Sequence, residues 1–314
     1  MNPGVTAVVV TYNRKDLLIE CLEAIQSQSY PVSSILLIDN ASTDGTHDAL
    51  NDKGFLKNNN FIYCLMETNL GGAGGFHEGF RRAAKLKNDF IWIMDDDTVP
   101  EKNALEELIS AERYLNIKNE KASFLASTVF GENGEAMNVP QIDGRVAPNG
   151  YSDWYRYLDE GIVKIKNATF VSLLIPVDSI KKCGLPYKDF FIWGDDAEYT
   201  QRLTEKAGRA YLVGKSRVCH KRKNAKALLL YEEKDTGRMD MYHLFYRNNL
   251  LSSRFYNKRE YHKILCSYIR EIFVHIIKYR NFKKAKIVIK GICESCFQYP
   301  AFVRYVKKQL KIDT

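Results

Sequence analysis

Four short runs of β-branched, aliphatic and aromatic residues fall within the first 95 positions: "VTAVVV" (5–10), "SILLID" (34–39), "FIYCLME" (61–67) and "FIWIMD" (90–95). Helix-favouring stretches at 15–27, about 44–52 and 76–87 separate them. Strands that alternate with helices pair in parallel through right-handed crossovers, and ligands gather at their carboxyl ends. Those ends read "TYNR" (11–14), "DNASTDGT" (39–46), "TNLGGAGG" (68–75) and "DDDTVP" (95–100), all polar. The pattern predicts an α/β fold with a nucleotide site along one edge of the sheet. Further strands are expected at 122–128, 168–176 and 210–214, and a helix from about 195 to 207. The stretch 131–167 reads as irregular, and the chain reads as helical from about 238 onward. This divides it into a catalytic domain, 1–237, and a C-terminal helical extension, 238–314.

At 314 residues, 45% hydrophobic and 27% charged, the chain has enough apolar sequence for a sizeable core. It contains no uncharged apolar run of the length a bilayer demands. "MNPGVTAVVVTYNRKD" reads as a first strand rather than a signal peptide. Seven cysteines, an odd number, point to a reduced, cytoplasmic setting. Cys293 and Cys296 form a lone C-x-x-C that reads as two half-buried helix cysteines rather than a metal site. The net charge of +8 is uneven: from Arg254 onward 15 Lys/Arg face 4 Asp/Glu, leaving 31 against 34 in the rest.

Three stretches carry chemistry. "NLGGAGGFHEGF" (69–80) is glycine-rich ahead of a helix, but neither standard phosphate motif fits: His77 stands where G-x-G-x-x-G needs glycine, and Phe80 where G-x-x-x-x-G-K needs lysine. It is either a tight structural turn or a place where bare backbone approaches a ligand, through Gly72 and Gly74. Asp95, Asp96 and Asp97 follow a buried-type strand, a setting that suits a divalent cation better than a solvated acidic turn. "FFIWGDDAEYTQRL" (190–203) sets Asp195, Asp196 and Glu198 beside apolar surface. They favour a helix N-terminus in any case, and partial desolvation would also raise one of them into the range of a general base. His220, followed by Lys221, Arg222 and Lys223, is either a surface histidine in a basic loop or a ligand joining the aspartates, with the cations beside a diphosphate.

Together these stretches resemble family 2 glycosyltransferases with the GT-A fold, over roughly residues 4–220. "GGAGGF", the triple aspartate and "WGDDAEY" are similar to the branch of bacterial galactofuranosyltransferases and their capsule and O-antigen relatives. Gly194 separates Trp193 from Asp195 where that branch reads W-D-D. The resemblance implies that Thr11, Asn13 and Arg14 lie at the first strand end, with Asp39 on the uracil or ribose of a nucleotide-sugar donor. Asp95, Asp97 and His220 would bind Mn²⁺ or Mg²⁺, with Asp96 among the substrate contacts. Asp196 would be the catalytic base, Asp195 would hold acceptor hydroxyls and Trp193 would wall the acceptor subsite. Gly72 and Gly74 would let backbone approach the donor.

The expected reaction is inverting transfer of galactofuranose from UDP-galactofuranose to a glycan or lipid-linked acceptor. The alternatives are dTDP-rhamnose or another UDP-hexose and, more distantly, nucleotidyl transfer, which wants a glycine-rich, lysine-bearing loop where "TYNRKD" has no glycine. The basic tail interleaves Ile272, Phe273, Ile276, Ile277 and Tyr279 with Arg270, Lys278 and Arg280. That arrangement points to a peripheral site on the inner face of the cell membrane, or to a helical cap on the catalytic domain or a second subunit in a homo-oligomer. No nucleic-acid recognition motif accompanies it. "FYRNN" (245–249) resembles a Y-x-R-N segment of the capsule and O-antigen relatives, and Arg247 and Asn248 are expected on a helix facing the catalytic domain, without an assigned role.

Overall fold

A computed structural model describes residues 2–222 and 229–311; Lys223, grouped above with the basic loop, lies outside them. The strands are β1 (Val5–Thr11), β2 (Ser34–Asp39), β3 (Phe61–Leu65), β4 (Phe90–Asp95), β5 (Thr98–Pro100), β6 (Ala122–Phe130), β7 (Ala136–Met137), β8 (Gln141–Ile142), β9 (Ile162–Asn167), β10 (Leu173–Pro176) and β11 (Arg209–His220). The helices are α1 (Lys15–Gln26), α2 (Thr46–Asp52), α3 (Gly71–Ala83), α4 (Ala104–Ile117), α5 (Val177–Cys183), α6 (Asp195–Lys206), α7 (Thr236–Tyr256), α8 (Lys258–Phe273) and α9 (Phe282–Gln309).

All strands join one sheet, ordered β3-β2-β1-β4-β10-β6-β11-β9-β8, with β5 on β11 and β7 on β6. β3, β2, β1 and β4 run parallel, as the alternation predicts. Beyond β4 the sheet is mixed: β10 is antiparallel to both β4 and β6, and β9 is antiparallel to β11. Every residue of β1 is buried, as expected for a strand covered on both faces. Val5, Ala7 and Val9 face α1, whose Leu18, Leu22 and Ile25 recur at helical spacing, together with Leu50 of α2 and Leu105 and Leu108 of α4. Val8 and Val10 face Phe76 and Phe80 of α3 and Tyr199 and Leu203 of α6.

Several expectations are corrected. The stretch 131–167 holds β7, β8 and β9; β9 is paired on both sides, to β11 and β8, so its backbone is satisfied despite the Gly and Asn punctuation before it. The strand expected at 168–176 shrinks to β10, and the short strand at 210–214 runs on to His220. The helix expected from 76 starts at Gly71, so the glycines form its first turns rather than a turn ahead of it. Cys293 and Cys296 are exposed on α9, not half-buried.

The C-terminal helices stack into a third layer, α7 lying against α9 so closely that a Cβ on Gly291 would stand 2.6 Å from the His243 carbonyl oxygen. One cluster, including Tyr242, Tyr246, Leu250 and Val288, lies mainly within this layer, with Trp193 packed against it. A second joins Leu251, Phe302 and Val306 to Ala73 of α3 and to Tyr187 and Phe190. Polar ties reinforce it: Tyr256 donates to Glu198 at 2.6 Å, and Glu198 pairs with the fully buried Arg202 at 2.8 Å. The helical layer thus packs directly on the segment leading into α6.

Candidate active site

The carboxyl ends of β1 and β4 lie side by side, because Val10 is in register with Asp95. Thr11 donates its hydroxyl to Asp96 at 2.7 Å. Arg14, just past β1, donates to Asp96 at 3.2 Å and to Asp97 at 2.8 Å. Two of the three adjacent carboxylates, Asp96 and Asp97, are thereby held by one guanidinium, with Asp95 near enough to add to its electrostatic field. β5 then pairs antiparallel with the end of β11, setting His220 opposite Thr98. This second strand end, 123 positions along the chain, delivers the histidine to the aspartates.

Asp95, Asp97 and His220 present one ligand atom each, all within 4.8 Å of one another. His220 Nε2 lies 3.0 Å from Asp97 Oδ1, a buried oxygen without a hydrogen bond. His220 Nδ1 is 2.9 Å from Asn138 Oδ1. An amide oxygen only accepts, so the imidazole proton sits on Nδ1, and in the neutral ring the Nε2 lone pair faces the carboxylate. Two acceptors meeting in a buried place are what a cation would satisfy, and the N/O donor set suits a divalent ion. Burial, with Asp97 and Asp96 adding repulsion, pushes the Asp95 carboxyl well above the usual range and that of Asp96 to about 6. Burial opposes ionisation of Asp97 too, but when the His220 ring is protonated its Nε2–H donates to this carboxyl, and that contact together with Arg14 outweighs burial and holds Asp97 below the ordinary value.

The other half of the site is the N-terminus of α6. Burial pushes Asp195 up to about 8, with repulsion from Asp196 adding, and Asp196 up to about 6. Asp195 also lies near enough to Asp95 to disfavour its ionisation. The Ala197 amide donates to Asp196 Oδ1 at 2.7 Å. The approach to this helix is strained: Phe191 and Trp193 have φ of 65° and 64°, and Gly194 has φ of 90°. Such a conformation costs on the order of 1–3 kcal/mol for each residue with a side chain. The Trp193 ring lies 5.0 Å from that of Tyr242, and the Arg238 guanidinium lies 5.9 Å from the Trp193 ring. Arg222 is depressed by burial and by Arg238 and Arg14 nearby, so several cations converge beside Asp97.

The remaining sequence candidates fall around this centre. Asp39 is buried and accepts from the Ser42 amide at 2.8 Å and the Tyr63 hydroxyl at 2.8 Å. Asn13 receives the Thr43 amide at 2.7 Å, tying the β2–α2 loop to the end of β1. Among the glycines, a Cβ at Gly72 would meet open space, whereas one at Gly74 would strike Leu70. Gly71 carries the tightest constraint: with φ at +71°, its Cβ would stand 2.1 Å from the Phe191 carbonyl oxygen. The glycine-rich turn of α3 therefore seats the loop leading to Trp193. Asn138, which fixes the His220 tautomer, lies in the stretch read as irregular, and nothing in its local sequence marks it.

Residues 6–116 match the family model described as Glycosyl transferase family 2. Over these residues the chain is similar to a family 2 glycosyltransferase domain. The chain is similar to galactofuranosyltransferase GlfT1 of Mycolicibacterium smegmatis, 25% identical over 213 residues, covering 63% of this chain and 65% of that protein. It is similar to glycosyltransferase AglE of Haloferax volcanii, 25% identical over 215 residues, covering 65% and 62% respectively. The chain thus spans a little under two thirds of the length of these relatives. A crystal structure of GalNAc-T7 with UDP, GalNAc and Mn²⁺ superposes with a TM-score of 0.63 at 14% identity, covering 99% of this chain and 59% of that one. The fold is GT-A, with a helical C-terminal extension.

Proposed function

We propose that this chain is a cation-dependent, inverting glycosyltransferase that moves galactofuranose from UDP-galactofuranose to a cell-surface glycan or lipid-linked acceptor. The observation that carries the reading is the convergence, at one sheet edge, of the Asp95–Asp97–His220 ligand set and the carboxyl pair opening α6, buried Asp195 and half-buried Asp196. Domain limits of 1–237 and 238–314 belong to the same proposal, as do donor contacts from Thr11, Asn13, Arg14, Asp39, Asp96, Gly72 and Gly74.

Asp95, Asp97 and His220 would hold a divalent cation, Mn²⁺ or Mg²⁺, which would supply positive charge to the departing diphosphate. Arg14 and Arg222 stand beside that place and add to it. Asp196, ionised, takes the proton of the acceptor hydroxyl as its oxygen bonds to the anomeric carbon and the bond to the diphosphate oxygen breaks. Asp195, with the higher affinity for its proton, donates a hydrogen bond to an acceptor oxygen. Trp193 walls the acceptor against Tyr242. One displacement with one base inverts the anomeric centre.

The test is UDP or dTDP release by the purified chain across UDP- and dTDP-sugars, with Mn²⁺, Mg²⁺ or EDTA. Release from UDP-galactofuranose, abolished by EDTA, is expected. Turnover of dTDP-rhamnose or another UDP-hexose instead would move the donor within the same class. Silence with every donor, and no calorimetric binding of UDP with Mn²⁺, would overturn the class.

The helical extension completes the proposal. No helix among the described residues is long and apolar enough to cross a membrane. Ile269, Phe273 and Ile277 recur every four residues along one exposed line, with Phe282 exposed beyond them. Lys263, Arg270, Lys278 and Lys283 lie in the same stretch, a composition that suits an anionic bilayer surface. The protein is expected to co-float with phosphatidylglycerol vesicles but not with pure phosphatidylcholine, and Phe273→Glu to abolish it. Equal recovery with both lipids, or with neither, would remove the membrane from the reading.

A further inference from the structure

We propose that Arg247 and Asn248, on α7, are positioning residues that clamp the loop carrying Trp193, Asp195 and Asp196, so that the C-terminal helical layer sets the geometry of the proposed base. The inference rests on the reading of Asp196 as that base.

The loop is strained despite its own backbone hydrogen bonds, such as that from the Ile192 amide to the Phe190 carbonyl at 2.8 Å. Phe191, Trp193 and Gly194 all lie in the left-handed region, and two of the three carry side chains that disfavour it. Its carbonyls are held from outside as well. Arg247 Nη2 donates to the carbonyl oxygens of Asp189 at 2.9 Å and Phe190 at 3.0 Å. Arg247 Nε donates to Asn248 Oδ1 at 2.8 Å. A guanidinium only donates, so this contact fixes the amide with its NH₂ turned to the loop. Asn248 Nδ2 then reaches the carbonyl oxygens of Phe190 at 3.1 Å, Ile192 at 3.1 Å and Trp193 at 2.7 Å. The remaining carbonyl, Phe191, accepts from the Ala73 amide at 3.1 Å, in the space that Gly71 leaves by lacking a Cβ.

Both side chains are buried, Asn248 completely. Arg247 makes no ion pair within 4.0 Å among the described residues, so its charge is taken from water with carbonyls and one amide as its partners. Glu294 and Asp189 favour its charge only from longer range, and a buried guanidinium with no carboxylate bonded to it is a costly way to fill space. What the pair obtains here is a strained backbone fixed as far as the Trp193 carbonyl, two residues before Asp195. A Cβ on Gly194 would stand 3.4 Å from that of Asn248, so the clamp and the helix start are in contact.

The experiment uses the full chain with Asn248→Asp, which keeps the shape and removes both donors, Asn248→Ala, and Arg247→Lys. Three readouts are taken: amide hydrogen exchange over 188–197, calorimetric affinity for UDP with Mn²⁺, and UDP release from whichever donor the wild type turns over. Asn248→Asp is expected to speed exchange in that segment alone, to leave UDP affinity unchanged, and to cut kcat about 100-fold at unchanged donor KM. Arg247→Lys is expected to fall between Asn248→Asp and the wild type. Wild-type exchange and kcat in Asn248→Asp would overturn the inference, and so would exchange that rises equally across the sheet or a loss of UDP affinity matching the loss of rate. If Asp196→Asn keeps full activity, the base assignment fails by itself, and the exchange data still decide whether the pair holds the loop.

Discussion

Asp196→Asn is expected to slow transfer by about 10²–10⁴-fold, the range associated with loss of a positioned general base. The substitution keeps the volume and the acceptor oxygen for the Ala197 amide, so α6 should start where it does now and donor affinity should hold. What disappears is the ability to accept a proton at neutral pH. The pH profile separates this from mere disturbance. Burial lifts Asp196 to about 6 and Asp195 to about 8, so between those values the pair holds one proton. Below the lower value Asp196 is protonated and the base is gone; above the upper value Asp195 loses the proton it donates and a second charge enters the site. The wild-type profile should be bell-shaped, with limbs that belong to the pair as a unit. Glu198 on α6 and Asp95 at the end of β4 are the other acids that act on Asp195. In Asp196→Asn the acidic limb should vanish. A variant with an unchanged limb near pH 6, measured as kcat/KM from pH 5 to 9, would move the base elsewhere.

The sequence was most legible where local pattern and tertiary need coincide. Short β-branched runs such as "VTAVVV" can do little but enter a buried sheet, and the polar segments after them mark its carboxyl edge. The resemblance that follows from those segments and the triple aspartate led to the GT-A fold. Legibility failed where the deciding partner is remote. β9 looks irregular because its neighbours β8 and β11 come from both sides of it in sequence. His220 reads as a loop residue until β11 is seen to continue to β5. The structural need at Gly71 is invisible locally, because nothing near it in sequence announces Phe191, 120 positions later, as the group that needs the room. Arg247 and Asn248 stand out only through the resemblance of "FYRNN" to a Y-x-R-N segment, and their targets are backbone carbonyls, which leave no trace in side-chain patterns.

Asp97→Ala is expected to abolish Mn²⁺-dependent UDP binding, a loss of more than about 100-fold, since removing a ligand should exceed the 10–100-fold that removal of a ligand's supporting partner costs. The supporting partner is available as a comparison: Asn138→Ala should give the smaller loss, because it frees the His220 ring without deleting a donor atom. Asp96→Asn divides the alternatives further. Asp96 shares Arg14 with Asp97 but is not among the three residues whose ligand atoms converge. If the aspartates serve only to hold Arg14 and a negatively charged turn, Asp96→Asn and Asp97→Ala should weaken UDP equally, and EDTA should change nothing. If Asp97 is a ligand, calorimetry with UDP should show a Mn²⁺-dependent signal in the wild type and in Asp96→Asn that Asp97→Ala lacks. Residual binding of UDP alone should be unchanged or stronger in Asp97→Ala, because one carboxylate facing the phosphates has gone while Arg14 and Arg222 remain. That opposite movement of metal-dependent and metal-independent affinity is the sign that a general weakening of the fold cannot produce.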